Sequence, residues 1–577
     1  MNLKKQIRQC NSDLFGMNRN LQMRYEWRTT VALFGLLIGF SASDATPAHS
    51  SQPNILVILG DDLRWDALGA TGHPFFKSPN LDRLANEGVL FQNSFVVHSL
   101  CSPSRATLLT GLYSHQHRVL DNDTPLHSRL TTVSQILNAA GYETAFIGKW
   151  HMGFLNAAPK PGFDRWVSFI GQGKYLDPLL NVDGERIQTN GHMTDILTNY
   201  ALDFLSRDRQ KPFFLVLSHK AAHEPFTAQA RFYRTYENAN IIFPATYGEE
   251  LTGKPAFLQN YSELFKQDLK LRIQQYYECL AGVEESVEKI LATLTQKNSL
   301  DSTLIIFTGD NGYLLGEHNV GDKRLAYEES MRVPLLARYP KWFVAGTRRE
   351  TFALNIDLAP TLLEAAGISP PRAMPGISLR KLANGEAKRN CFLFEYSADT
   401  AVTEIPPIRA IRTHDFKYIK YFDSTATEEL YDMRKDPVEK NNLMEQPAFA
   451  PVWRRLRFQL DSLRLAAHDT LASDISEPTN SRPVNFVLYQ NYPNPFSTNG
   501  AFGTTITTIR YALYKAGPVR VEVFDIAGRK VATLVNARQE PGFRTIQWNA
   551  VRFAGGVYFC RLQAGAFVQT KKMIVLR

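Results

Sequence analysis

Residues 53–62 read PNILVILGDD. A continuous apolar run of strand length that ends in paired carboxylates is the signature of a fully buried strand in a parallel sheet. Three further runs have the same form: ETAFIGKWH at 143–151, PFFLVLSHKAAH at 212–223 and STLIIFTGDNG at 302–312. Helical patterns lie between them, HMTDILTNYALDFLSR at 192–207 and QQYYECLAGVEESVEKILATLTQ at 274–296. Strands alternating with helices predict an α/β sheet covered on both faces. In such sheets ligands bind beyond the carboxyl ends of the strands. All four runs end in polar residues, so Asp61, Asp62, Lys149, His151, His219, His223, Asp310 and Asn311 are expected to converge on one edge.

The chain has 577 residues, 44% of them hydrophobic, which is too long for one ordinary domain and ample for a sizeable core. One large domain with an appendage is expected. The large domain is placed at 53–389. From about residue 390 the pattern changes to short strands with turn signals, RAIRTHDFKYIKYF and EELYDMRKDP, read as a small antiparallel subdomain over 390–465. Residues 466–482 are polar and breaker-rich and read as a linker. Residues 484–577 alternate strand-like runs with turns such as IAGRK and EPGFR, the pattern of a separate all-β, sandwich-like domain.

The formal charge is +9. Residues 1–30 hold six basic and two acidic side chains, and residues 484–577 hold twelve and three, which leaves about −4 for the stretch between. The large domain is therefore not a basic nucleic-acid binder, and no nucleic-acid partner is expected. Arg24 and Arg28 precede the apolar run VALFGLLIGF and the small residues SASDATPA. Residues 1–50 thus read as a signal-peptide region for export, with Met17 and Met23 as alternative starts. The apolar run is too short for a permanent membrane anchor. Cys10 falls in that segment, and Cys101, Cys279, Cys391 and Cys560 form neither a CxxC pair nor a cluster. Neither a zinc knot nor a disulfide scaffold is signalled. Cys279 and Cys391 read as small buried apolar residues.

Asp61, Asp62, Asp310 and Asn311 offer only oxygen ligands, which suit a hard divalent cation such as calcium or magnesium. Cys101 opens the stretch CSPSRATLLTG, where Pro103 sits at a position that the first turn of a helix tolerates. The thiol thus falls at or near a helix N-terminus, whose positive potential favours an anionic ligand, with Arg105 on the same turn.

These residues resemble the type I sulfatases. CSPSR followed by LLTG is similar to their signature, in which the Cys of C-x-P-S-R is oxidised to formylglycine, and GDD, GKWHMG, AAHEPF and GDNGYLLGEHNVGDKRLAYEESMRVPLL follow in family order. The resemblance spans 53 to about 465 and implies an alkaline-phosphatase-like mixed sheet covered by helices. By the same resemblance Asp61, Asp62, Asp310, Asn311 and the modified Cys101 ligate one calcium ion, and Arg105, Lys149 and Lys323 hold the sulfate oxygens. His223 stands near the leaving oxygen, since the family's H-x-P falls on it, and His219 is left as a structural histidine. The hydrated aldehyde offers one hydroxyl to attack sulfur, with Asp310 placed to take its proton. It keeps a second hydroxyl through which a base such as His151 expels sulfate, while His223 or Lys323 protonates the departing alkoxide.

The tail motifs NFVLYQNYPNPFS, VEVFDIAGRKVATLV and GGVYFCRLQAGAFVQTKKMIVLR resemble the C-terminal sorting domain of type IX secretion. Export to the surface or medium is expected, with the type IX machinery and a maturation enzyme, either a formylglycine-generating enzyme or an anaerobic sulfatase-maturing enzyme, as partners. The substrate expected from KPGFDRWVSFIGQGKYLDPLLNVDG and SHKAAHEPF is a 6-O-sulfated N-acetylglucosamine of a glycosaminoglycan or mucin-like glycan, with Trp166 and Tyr175 as candidates to pack a sugar face. The alternatives are a phosphonate or phosphate monoester hydrolase of the same superfamily, and a surface protein that binds sulfated glycans without turnover.

Overall fold

The computed structural model describes residues 52–576 except 154–156, 259–267, 398, 400, 423–426, 470–485, 489–490, 492–493, 495 and 498–504. The expected signal-peptide region and nearly all of the expected linker lie outside the described residues. Two compact units are present, Met1–Leu460 and Asp461–Arg577.

The first unit is built on a ten-stranded mixed sheet. Its strands are β1 (Asn54–Gly60), β2 (Val89–Phe91), β3 (Glu143–Gly148), β4 (Arg165–Ser168), β5 (Leu179–Val182), β6 (Glu185–Gln188), β7 (Phe213–Ser218), β8 (Thr303–Gly309), β9 (Leu335–Arg338) and β10 (Thr347–Arg349). Their order is β10-β2-β9-β8-β1-β7-β3-β4-β5-β6. The five from β8 to β4 run parallel, and β9, β5 and β6 pair antiparallel at the flanks.

β1 is buried on both sides, as its unbroken apolar run requires. Leu56 and Ile58 pack into a cluster with Leu197, Phe204, Leu280 and Val287, from the helices Met193–Ser206 and Leu269–Gln296. Ile55 and Val57 face the opposite cluster, with Leu358 and Leu362 of the helix Leu358–Ala365. Successive side chains leave a strand on opposite faces, so two helical layers need a strand apolar at every position. Each such side chain contributes about 1.5–3 kcal/mol on burial.

Four antiparallel strands, β11 (Cys391–Tyr396), β12 (Ile408–Thr413), β13 (Phe416–Tyr421) and β14 (Glu428–Asp432), form a second sheet. Phe392, Phe394 and Tyr396 pack with Phe95, Val97 and Leu100, so this sheet supports the segment that leads into Cys101.

The second unit has one sheet of Val487–Leu488, Ile506–Leu513 and Gly542–Asn549 and another of five strands between Phe496 and Leu576. Ile509, Tyr511 and Trp548 from the first meet Val521, Val523, Leu562 and Met573 from the second in one core. It is the small two-sheet β domain expected for the tail.

Candidate functional site

The four strand ends meet. Asp61 and Asp62 follow β1, and Asp310 and Asn311 follow β8, where the amide of Asp310 donates to the Gly60 carbonyl (3.0 Å). Side chains of adjacent strand residues would point apart. Asp62 instead adopts φ 56, which turns the chain so that both carboxylates enter the same buried space. A non-glycine residue in this region is rare and strained, as is His151 at φ 60. Gly148, at the end of β3, has φ 126, and a Cβ there would collide with the Ser218 carbonyl. Only glycine lets the strands close enough for the Lys149 amide to donate to that carbonyl (2.8 Å).

Cys101 is the first residue of the helix Cys101–Thr110, as its motif predicts. Every residue of that helix is buried. Its thiol lies 3.6 Å from Asp61 Oδ1 and 3.6 Å from Lys149 Nζ. Burial pushes this thiol up to about 12, against the pull of Lys149 and Lys323. As a cysteine it is a protonated, inert sulfur at neutral pH.

Arg105, one turn further on, donates from Nε to Asp310 Oδ2 (2.8 Å) and from Nη1 to both the Lys149 carbonyl and Ser218 Oγ, while its Nη2 lies 2.8 Å from Asp310 Oδ2. Lys149 pairs with Asp61 Oδ2, and Lys323 donates to both oxygens of Asp62 (2.5 and 2.7 Å). His223 Nε2 is 3.7 Å from Asp62 Oδ2. Three carboxylates thus face three permanent cations in a space with almost no solvent. Burial would raise the Asp61 carboxyl, but Lys149, His223, Arg105 and Lys323 outweigh it and hold the group well below the usual range. Asp62 is raised to about 6, by burial and by the neighbouring Asp61 and Asp310, with Lys323 opposing.

The sequence-predicted residues therefore come together, with one exception. His219 turns away: its Nε2 lies 3.2 Å from Ser286 Oγ inside the core, in keeping with a structural histidine. His151 is buried beside Lys149, and its carbonyl accepts the Ser102 hydroxyl. Two expectations for sugar packing need correction. Trp166 is 1% exposed, stacks on Phe146 at 5.0 Å and donates its indole NH to the Ala157 carbonyl. Tyr175 is also buried, with its hydroxyl donated to the His223 carbonyl (2.7 Å). Both rings are spent on the interior. Sequence reading missed Ser218, which anchors Arg105 and donates to the Lys149 carbonyl (2.9 Å). The signal was there, a hydroxyl ending the buried run that precedes His219.

The protein belongs to the sulfatase family, which it matches over residues 53–368, and it is a sulfuric ester hydrolase with the alkaline-phosphatase-like fold of that family. Residues 316–466 match the C-terminal region of N-sulphoglucosamine sulphohydrolase, and residues 490–576 match a secretion system C-terminal sorting domain, which directs the protein to type IX secretion. Over 72% of this chain and 87% of the relative, it is 32% identical to an N-acetylglucosamine-6-O-sulfatase of Bacteroides thetaiotaomicron. A choline-sulfatase of Rhizobium meliloti is 29% identical over 77% of this chain and 92% of its own. A solved structure in complex with its substrate D-glucosamine-2-N,6-O-disulfate is 31% identical, with a TM-score of 0.66 over 73% of this chain and 99% of that one.

Sulfatases of this family imply a formylglycine and a metal, and the residues fit a hard cation. Ligand atoms of Asp61, Asp62, Cys101 and His223 lie within 4.8 Å of one another. Asn311 Oδ1 is buried without a hydrogen-bond partner, which leaves an oxygen lone pair free for a cation. Asp310 stands closer to Arg105, and its Oδ1 accepts the amides of Asp62 (3.1 Å) and Asn311 (2.9 Å).

Proposed function

We propose that the protein removes 6-O-sulfate from N-acetylglucosamine-type sugars of glycosaminoglycan or mucin-like glycans. The observation that carries the reading is the meeting of Cys101, Lys149 and Asp61 at one buried point, with Arg105 3.8 Å from Asp61 and Lys323 paired with the adjacent Asp62. The sugar is supported by the N-acetylglucosamine-6-O-sulfatase relative and by the structural neighbour bound to a 6-O-sulfated glucosamine.

In this reading Cys101 is converted to formylglycine, whose hydrated aldehyde supplies the nucleophile that an inert thiol cannot. One calcium ion would be held by Asp61, Asp62, Asp310, Asn311 and residue 101, and when bound it lowers the proton affinity of that nucleophile and draws charge from the sulfate. Arg105, Lys149 and Lys323 present fixed cations to the sulfate oxygens in a space that excludes water, where such contacts are strongest. In this reading Asp310 would take the proton of the nucleophile, and His151 would serve as a base for the return step. His223, with Lys323 beside it, holds the proton for the departing sugar oxygen.

We also propose the division of the chain into a signal region at 1–50, a catalytic domain at 53–389 with its antiparallel subdomain at 390–465, a linker at 466–482 and a sorting domain at 484–577. The test of the substrate is kcat/KM on 6-sulfated N-acetylglucosamine and galactose against 2-, 3- and 4-sulfated sugars and a phosphate ester. A uronic-acid sulfate, an aryl sulfate or a phosphate preferred by about tenfold, or about 1.4 kcal/mol of transition-state free energy, overturns the assignment.

A further inference from the structure

The loop after β7 holds a charge that the roles above leave unused. Lys220 is 1% exposed. Among the described residues no carboxylate stands within ion-pairing distance of its ammonium. Withdrawing a cation from water without a counter-ion costs several kcal/mol, so its contacts define what it does there.

Those contacts surround His223. Lys220 Nζ donates to the Glu224 carbonyl at 3.2 Å and lies 4.6 Å from the centre of the Tyr175 ring. The same carbonyl lies 2.7 Å from His223 Nδ1. A carbonyl accepts and never donates, so Nδ1 carries a hydrogen, and the two lone pairs of one oxygen take one donor each. Tyr175 closes the frame, donating to the His223 carbonyl (2.7 Å) with the Lys220 carbonyl at 3.5 Å. The Ala222 amide donates to the Asp61 carbonyl (2.9 Å), tying the loop to the cluster of carboxylates. With Nδ1 committed, Nε2 is the nitrogen turned towards Asp62.

We propose that Lys220 and Tyr175 are positioning residues that hold the His223 ring for delivery of a proton to the departing sugar oxygen. The inference rests on the sulfatase reading in which His223 serves the leaving group. The ring enters this step as an imidazolium with a hydrogen on each nitrogen; as the bond from sulfur to the ester oxygen breaks, its electron pair stays on that oxygen and the Nε2 proton passes to it. The ring is left neutral with its hydrogen on Nδ1, still bonded to Glu224. A sugar alkoxide is a poor leaving group and needs that proton, whereas a nitrophenolate departs without it.

The full-length matured enzyme is compared on 6-sulfated N-acetylglucosamine and on 4-nitrophenyl sulfate, with thermal melting followed for each variant. Lys220→Met is expected to lower kcat on the sugar ester by about tenfold or more, with KM and aryl turnover changed less than about threefold. Lys220→Arg should recover most of the loss. Tyr175→Phe should act in the same direction, and it decides the matter if Lys220→Met does not fold. Equal losses on both esters, or unchanged sugar turnover, overturn the inference. His223→Ala is measured alongside. If its ratio of sugar to aryl turnover equals that of the parent, the leaving-group role of His223 falls; if it shifts that ratio and the other two variants do not, only the positioning role falls.

Discussion

Lys149 stands between Asp61 and Cys101, its ammonium paired with the carboxylate and 3.6 Å from the sulfur. One buried cation thus faces both the metal-type ligands and the residue expected to become the nucleophile. Lys149→Met is expected to reduce kcat by a factor of at least about 10², because it removes a preorganised charge from the transition state and leaves Asp61 short of a partner. A loss confined to KM would show that Lys149 only binds.

Cys101 is expected to be found as formylglycine in active preparations, the peptide losing sulfur and gaining an aldehyde by mass spectrometry. Cys101→Ala should abolish turnover, while Cys101→Ser should follow the host's ability to oxidise serine. Full activity with an intact thiol contradicts the assignment.

Calcium is expected to bind directly. Titration of chelator-treated protein should show one site by calorimetry and a rise in melting temperature, since a ligand that binds only the folded state stabilises it. Asp62→Asn should weaken that binding. Zinc restoring activity in full while calcium does nothing would exclude the oxygen-ligand argument.

A pH-dependent share of stability is expected from Glu395. Its carboxylate accepts from the Ser114 amide (2.6 Å) and lies 2.6 Å from His115 Nδ1 and 3.9 Å from Arg409. Burial favours the neutral acid, but His115, Arg409 and His98 prevail and bring the group down from 4.5 to about 2. Because the folded value is the lower one, the stabilisation is complete above the unfolded value and is lost as pH falls from about 4.5 towards 2. Glu395→Gln should therefore cost about 3 kcal/mol at pH 7, the gap to the parent narrowing below about pH 4 in denaturant titrations. A gap that stays constant over that range assigns the loss to packing instead.

Trp166→Ala is expected to cost about 3–5 kcal/mol of stability, as an aromatic core truncation does, and to leave KM for sugar sulfates unchanged. A raised KM with an unaltered melting temperature would return this ring to the substrate.

A chain ending near residue 480 should keep its turnover of a small sulfate ester and fail to leave the cell. Lost turnover in a folded truncation would give the tail a catalytic part.

Much of the fold and of the site is legible in the amino-acid sequence. A strand buried on both faces writes itself as an unbroken apolar run, and its polar end is where a parallel sheet places chemistry, so Asp61, Lys149 and Asp310 can be assigned to one edge. The bend that points Asp61 and Asp62 the same way is not legible, because DD carries no mark of a positive φ. Nor is the fate of Trp166 and Tyr175. An aromatic residue near a site looks the same in sequence whether it meets a sugar or fills the interior, and only the three-dimensional partners, Phe146 for one and the His223 carbonyl for the other, separate the cases. Lys220 escapes notice because a lysine inside a polar loop reads as solvated.

The helix Cys101–Thr110 has no residue at the surface. An enzyme that modifies Cys101 must reach a side chain that the folded unit buries, and here Asn122, Asn355 and His151 already grip its neighbours Ser102 and Ser104. The conversion proposed for Cys101 would therefore have to precede folding of the large unit, since a chain that folds first would seal an unconverted thiol inside and stay silent however long it waits. The yield of working enzyme would then be set by a race during synthesis, and slowing the folding of residues 53–310 should raise the converted fraction.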